Sequence, residues 1–198
     1  MTGKTRARKV FLVINSLEGG GAERVMCTLA SALAENEKGW TVTLATLDRS
    51  EDIYPLSPRV ARIRLGSGGR LHSGALALLR SMRQDRPDVI LSFLTRANCA
   101  AIVSSRLLRI PCIISERVHT TSHFSSGGFR DMRKMMVRHL YPLADRVIAV
   151  SEGVGDDLVR NYGVSAGRVV TIHNPIDLDR IEQAAHAEPS TAPTGKLA

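Results

Sequence analysis

The chain has 198 residues, of which 43% are apolar and 4% aromatic, and 27 Lys and Arg against 19 Asp and Glu give it a formal charge of +8. That length supports one sizeable core with a tail, and the charge points to an anionic partner: a phosphorylated ligand, an acidic membrane surface or a nucleic acid. Nucleic acid is the weakest of the three, because so few aromatics give no stacking platform for single strands and no zinc-finger or RNP-like spacing occurs.

Residues 1–8 read as a disordered basic lead, with Lys4, Arg6 and Arg8 ahead of the first apolar run. That run is short and ends in Asn15-Ser16 and glycines rather than in a cleavage site, so it is not read as a signal peptide. No stretch is long and apolar enough to span a bilayer. The first strand is expected over Lys9 to Asn15, apolar on both faces as a central parallel strand is. Gly19-Gly20-Gly21 follows, then a helix over Ala22 to Glu35 with Val25, Leu29, Ala32 and Leu33 on its apolar face. Further strands are expected at Thr41 to Leu47, Val60 to Leu65, Val89 to Phe93, Cys112 to Ser115, Arg146 to Val150 and Val169 to Ile172. Helices are expected at Gly74 to Gln84, Ala97 to Leu108 and Phe129 to Leu140, and from the N-cap Ser151 to Gly163. His119 to Gly128 reads as a polar, mobile loop, Ile176 to Ala187 as a polar helix, and Glu188 to Ala198 as a linker or tail. Cys27, Cys99 and Cys112 lie in separate apolar stretches, which favours buried, reduced thiols in a cytosolic setting.

The βαβ repetition makes this an α/β chain, a Rossmann-like doubly wound parallel sheet of about seven strands with helices on both faces. In such sheets ligands bind beyond the carboxyl ends of the strands. Those ends carry Asn15-Ser16, Asp48-Arg49, Thr95-Arg96-Ala97-Asn98, Ser115-Glu116-Arg117, Ser151-Glu152 and His173-Asn174. Polar strand ends are also ordinary loop chemistry; their convergence with a glycine loop favours a site. Glycine N–H groups at a strand-to-helix junction, with the positive end of the helix, form a seat for a phosphate. A nicotinamide fingerprint does not fit: starting from Gly19, the third glycine position holds Arg24, too large for close helix–strand packing.

Several segments in series resemble the start of glycosyltransferase family 4 (group 1) enzymes of GT-B fold. They are Lys9 to Asn15 with Gly-Gly-Gly-Ala-Glu-Arg, then Arg86 to Phe93, Ile110 to Arg117, Ala144 to Gly153 and Val169 to Asp177. The resemblance implies an N-terminal, acceptor-side domain over residues 9–176. Residues 177–198 are then a linker toward a C-terminal domain, bearing the Glu-x7-Glu signature, that this chain does not contain. The chain thus looks like half an enzyme, inactive alone, in a cytoplasmic setting or at the inner face of the membrane. By the family pattern Gly19, Gly20 and Gly21 bind the donor diphosphate. Arg96, Asn98 and Glu116 are acceptor-binding candidates, and Asn174-Pro175 is the hinge. Glu116, Arg117 and His119 are the catalytic candidates. Many members place a sugar-contacting histidine in this region; here Glu116 or Arg117 takes that place and His119 lies slightly beyond. The implied partners are a nucleotide sugar, used with retention, and a saccharide or polyprenyl-phosphate-linked acceptor of surface polysaccharide or glycoconjugate synthesis. Neither a further cofactor nor a metal is expected, since no Asp-x-Asp lies at a strand end.

Three structural alternatives stay open. Glu116 and Arg117 fit a plain ion pair, Asn98 fits the first turn of its helix, and the glycines fit a turn with no ligand. Phe129 to Leu140 places Arg130, Arg133, Lys134 and Arg138 on one side and Phe129, Met132, Met135, Met136 and Leu140 on the other. It reads either as a membrane- or polyprenyl-phosphate-docking face or as a solvated basic face backed by a methionine-rich core face. A non-catalytic nucleotide- or phospholipid-binding module is the alternative for the whole chain.

Overall fold

The computed structural model describes residues 8–36, 39–118, 120–123 and 130–175. Seven strands form one sheet: β1 (Lys9–Ile14), β2 (Thr41–Thr46), β3 (Ala61–Arg64), β4 (Val89–Phe93), β5 (Cys112–Glu116), β6 (Arg146–Ala149) and β7 (Val169–Thr171). All neighbours pair in parallel, in the order β3-β2-β1-β4-β5-β6-β7. The crossovers run through α1 (Gly21–Glu35), α2 (Leu71–Asp85), α3 (Thr95–Leu108), α4 (Thr120–His123), α5 (Arg130–Leu140) and α6 (Glu152–Tyr162). This is the doubly wound α/β architecture expected from the βαβ repetition.

Each face of the sheet has its own core. One gathers Phe11, Leu78, Met82, Ile102, Val137, Tyr141 and Leu158, from β1, α2, α3, α5, the 3-10 turn Tyr141–Leu143 and α6. The other packs Leu12, Ile14 and Leu44 against Val25, Met26, Cys27 and Ala30 of α1. The buried stripe of α1 therefore runs through Met26 and Ala30, one turn apart, and Ala32 faces solvent. Val170 and Ile172, at the β7 edge, are 47% and 53% exposed, a strong departure from a parallel sheet covered on both faces. Burial pushes the Cys27 thiol up to about 11 and those of Cys99 and Cys112 up to about 12, so all three free cysteines are poor nucleophiles.

Local signals set several ends. The Ser151 hydroxyl accepts from Val154 N–H at 3.3 Å as the N-cap of α6, and Gly163 ends that helix in the left-handed region, φ +71°. Two helices begin earlier than expected: α2 at Leu71 rather than Gly74, and α3 at Thr95 rather than Ala97. Thr120–His123 forms a helical turn where a loop was expected. A carboxylate from α6 holds it, since Asp157 accepts from Thr121 N–H at 3.0 Å and from its hydroxyl at 2.6 Å.

Candidate functional site

After β3 the chain crosses to the far side of β1, so the direction of winding reverses between β1 and β4. The carboxyl ends of those two strands splay their loops apart and leave a crevice. Asn15, at the end of β1, pins the opposite wall by accepting from the Ala97 N–H of α3 at 3.1 Å. Leu94, the N-cap of α3, has φ +73°, a strained conformation for leucine located on the crevice wall.

The glycine loop enters from β1. Leu17 is fully buried and its carbonyl accepts from Ile53 N–H at 3.1 Å, which anchors the loop. Gly19 has φ +115°, and a Cβ there would lie 3.1 Å from Ile53 Cδ1. Gly20 caps α1 without a side-chain bond. A Cβ on Gly20 would collide with the Glu23 carboxylate, which therefore rests against the loop in the first turn of the helix. The place where a phosphate was expected thus holds an anion of the chain's own, beside the positive helix end. Around Gly21 the space is open, with nothing within 4 Å of an added Cβ.

Past the carboxyl ends of β1 and β4 lies a cleft of about 550 Å³, lined by Asn15, Leu94, Thr95, Arg96, Glu116 and Met136 among others. Glu116 forms part of its floor. It is fully buried, its Oε2 accepts from the Tyr141 hydroxyl at 2.5 Å, and its Oε1 accepts from the Arg117 N–H at 3.0 Å. Burial pushes its carboxyl above the ordinary value, against the bonds from Tyr141 and the N–H groups of Arg117 and Val118. Asn98 is also fully buried. Its amide donates to Ser115 C=O at 3.0 Å and to the Tyr141 hydroxyl at 3.1 Å, and accepts from the Ser92 hydroxyl at 2.8 Å. Expected as an acceptor-binding residue, Asn98 instead sits beneath the cleft, with both amide protons engaged by the core.

Arg117 does not pair with Glu116. Its guanidinium stacks 3.8 Å above the Phe93 ring and donates to Asn174 Oδ1. Its Nε is buried with no partner among the described residues, and burial lowers its pKa to about 10. Arg117 thereby ties the end of β5 to the segment beyond β7 that carries Asn174 and Pro175. His119 lies outside the described residues. Arg96 reaches the cleft and is paired with Asp48, at the end of β2. Asp48 also accepts from the Ser67 hydroxyl at 3.0 Å and the Gly69 N–H at 3.2 Å.

These bonds have a consequence for pH. Burial pushes the Asp48 carboxyl up, but the bonds from Arg96, Ser67 and Gly69 outweigh it and hold it below 3.8. Asp52 is held below 3.8 by Arg62, which donates to it at 2.8 and 3.0 Å, with Arg64 adding a third bond. A carboxyl lowered by folding contributes stability that is complete above its unfolded pKa and is lost as pH falls through its folded value. Melting curves are expected to show Tm falling most steeply below about pH 4. The double variant Asp48→Asn/Asp52→Asn starts lower and falls less; an equal slope would exclude these two groups as the cause.

Helix α5 closes the outer wall. Met132 and Met135 are 49% and 55% exposed while Val137 is fully buried. Of the apolar side that one of the two sequence readings assigned to the core, Met136 and Leu140 do pack against it, together with Val137, while Met132 and Met135 turn outward. Phe129 lies outside the described residues. Four further cations, Arg83, Arg86, Arg106 and Arg109, line shallow clefts at the C-terminal ends of α2 and α3, where helix dipoles favour cations. Among the described residues no three His, Cys, Asp or Glu gather as a metal-ligating group, and no helix is long and apolar enough to cross a membrane.

Residues 19–180 match the family model of Glycosyltransferase Family 4. The chain belongs to that family. This family 4 domain is 27% identical over 194 residues to the N-acetylgalactosamine-N,N'-diacetylbacillosaminyl-diphospho-undecaprenol 4-alpha-N-acetylgalactosaminyltransferase of Campylobacter jejuni, across 90% of the chain and 51% of that relative. The chain thus spans about half the length of this relative. Among solved structures it resembles Anabaena HepE in complex with UDP and glucose, with a TM-score of 0.63 and 17% identity over 90% of this chain and 50% of that one. It equally resembles UDP-N-acetylglucosamine 2-epimerase from Rickettsia bellii, with a TM-score of 0.67 and 13% identity over 92% of this chain and 50% of that one. A transferase-family chain and an epimerase thus share the fold, and fold alone does not select the chemistry.

Proposed function

We propose that the family 4 domain is the acceptor-side half of a retaining glycosyltransferase. The longer protein moves a sugar from a nucleotide-diphosphate sugar to a saccharide or polyprenyl-phosphate-linked acceptor in surface polysaccharide or glycoconjugate synthesis. The observation that carries this reading is the family match over residues 19–180, on a chain with an open cleft past the end of β1, where the winding of the sheet reverses. The open backbone at Gly21 faces the donor diphosphate, and Glu23 swings out to admit it. The leaving nucleotide diphosphate gathers negative charge, which the N-terminus of α1 and cations of the other half stabilise. The acceptor occupies the cleft over Glu116, beside Arg96. Asn174 and Pro175 lead to the hinge, where Arg117 sets the departure of the chain. The name of the Campylobacter relative specifies a diphospho-undecaprenol-linked acceptor and an alpha linkage, which favours a lipid-linked acceptor and retention here. The protein then works on the cytoplasmic side, with the exposed methionines and cations of α5 against the membrane.

The test is transfer by the full-length protein from a panel of UDP-sugars to polyprenyl-diphosphate-linked saccharides. An α-linked product from an α-linked donor, read by NMR, is the expected result; donor epimerisation or nucleotide binding without turnover would replace the reading. For the membrane face, the 198-residue chain is expected to co-sediment with phosphatidylglycerol vesicles and not with phosphatidylcholine vesicles. Met132→Ser/Met135→Ser weakens that binding, and equal binding by this variant would move the contact off α5.

A further inference from the structure

Helices α2 and α3 each close on two arginines: Arg83 and Arg106 in their last turns, Arg86 and Arg109 as their caps. Both caps are left-handed, with φ +51° and +57°, and among the other described residues only Leu94 and glycines have a positive φ. Leu107 lies between two of these arginines in sequence and is 65% exposed. We propose that this corner, Arg83, Arg86, Arg106 and Arg109 around Leu107, is a docking surface for an anionic membrane. Lipid phosphates meet the arginines and the leucine enters the headgroup boundary. Charge, strain and exposure carry this independently of the proposed sugar transfer, and on a surface separate from the exposed methionines of α5.

Helix α2 runs into β4 and α3 into β5, so their ends lie at the amino ends of these strands, away from the cleft. Three carboxylates share this pole, and each is engaged inside the domain. Asp85 accepts from Lys9 Nζ at 3.3 Å and from the Thr43 hydroxyl at 3.0 Å. Asp88 accepts from the Lys9 N–H and Asp145 from the Cys112 N–H, both at 2.8 Å. The four arginines are exposed, and among the described residues none of them forms an ion pair. They flank two shallow clefts, of about 500 and 420 Å³, that meet at Ile110. A helix end favours a cation, but one in the last turn meets that need. At a left-handed cap glycine is the residue free of strain, and arginine is not. Two unpaired arginines kept in that conformation at one corner point to an anion outside the domain.

Leu107 decides the kind of anion. A soluble anion has no use for a leucine at solvent, whereas a bilayer takes an apolar side chain at its boundary while flanking guanidinium groups reach the phosphates. No aromatic side chain lines either cleft, so nothing there stacks a nucleobase. Helix α3 packs against both α2 and α5, on one face of the sheet. The corner therefore belongs to the same layer of helices as Met132 and Met135. Helix α6, which covers β6 and β7 in that layer, carries Glu152, Asp156 and Asp157 against Arg160. An anionic surface repels that end, and the domain is expected to rest on α5 and the α2–α3 corner with α6 raised.

The test is partitioning of the 198-residue chain onto vesicles of equimolar phosphatidylglycerol and phosphatidylcholine. Each cation near an anionic surface contributes about fivefold. Arg83→Gln/Arg106→Gln, at two ordinary helical positions, is therefore expected to weaken partitioning at least about tenfold. Arg86→Gly/Arg109→Gly is expected to do the same with Tm no lower, since glycine relieves the left-handed strain. Folded variants that partition like the wild type overturn the proposal. So does a loss confined to Met132→Ser/Met135→Ser, which would leave the membrane to α5 alone. Leu107→Ser is expected to weaken vesicle binding about fivefold, through the lost apolar contact, and to leave binding to polyglutamate as it was. A wild-type chain that binds polyglutamate and not the vesicles would give the patch to an acidic protein and overturn the membrane assignment. Failure of the full-length protein to transfer any sugar would overturn the proposed function instead, and the vesicle results would stand.

Discussion

Replacing Gly21 by valine is expected to abolish sugar transfer by the full-length protein while leaving this domain folded. Gly21 opens α1 with no positive φ and with nothing within 4 Å of an added Cβ. The Cβ of the new side chain therefore meets no steric opposition in the free domain, and stability is expected to change by less than about 0.5 kcal/mol. What valine fills is the empty space in front of the helix end, where the proposed diphosphate approaches the backbone. Losing one close contact to developing charge typically costs about 10²–10³ in kcat. The neighbouring glycines are poorer probes. Gly19 has φ +115°, so any side chain there strains the backbone, and a side chain on Gly20 would displace Glu23. The measurement is paired: Tm for the domain and initial transfer rate for the whole protein. A folded Gly21→Val variant that transfers at the wild-type rate would remove the donor from this loop.

Elements whose signals are local were legible in the sequence. Apolar runs, several of them bounded by Gly, Pro or Asp, mark most of the strands, and Ser151 and Gly163 bracket α6 because a cap acts within one turn. Features that depend on distant partners were not. The turn Thr120–His123 owes its shape to Asp157, 36 residues beyond Thr121. Arg96 pairs with Asp48, and Arg117 with Asn174, across 48 and 57 residues. Residues Glu116 and Arg117 look like an ion pair because they are adjacent, yet one side chain enters the core and the other lies on Phe93. In α5 the spacing separates methionines from arginines but does not say which side meets the sheet; Val137 decides that through its burial. Helix α3 starts two residues before the expected Ala97 because Leu94 takes a conformation for which leucine carries no signal. Tyr141, hidden in the apolar run Leu140-Tyr141-Pro142-Leu143, could be found only from the bond it makes.

Glu116 serves both packing and site, and two substitutions separate these roles. Glu116→Ala takes the acceptor from three donors at once: the buried Tyr141 hydroxyl and the part-buried N–H groups of Arg117 and Val118. Each unsatisfied buried donor costs about 1–3 kcal/mol, so this variant is expected to lose several kcal/mol of stability. Loss of activity in it would carry no information about the site. Glu116→Gln keeps the shape and one oxygen. That oxygen can still meet the N–H groups, while the amide faces Tyr141, whose hydroxyl must turn to accept. Its cost is expected to be about 1 kcal/mol, small enough for the variant to remain folded. What glutamine removes is the charge-assisted bond to a sugar hydroxyl, a bond of roughly twice the strength of a neutral one. Transfer by Glu116→Gln is therefore expected to fall about 10²-fold in kcat/KM for the acceptor, with donor KM and Tm nearly unchanged. A glutamine variant that melts normally and transfers normally would mean that Glu116 braces the cleft floor and touches no substrate. A variant that melts normally and loses acceptor use would assign the carboxylate to the acceptor.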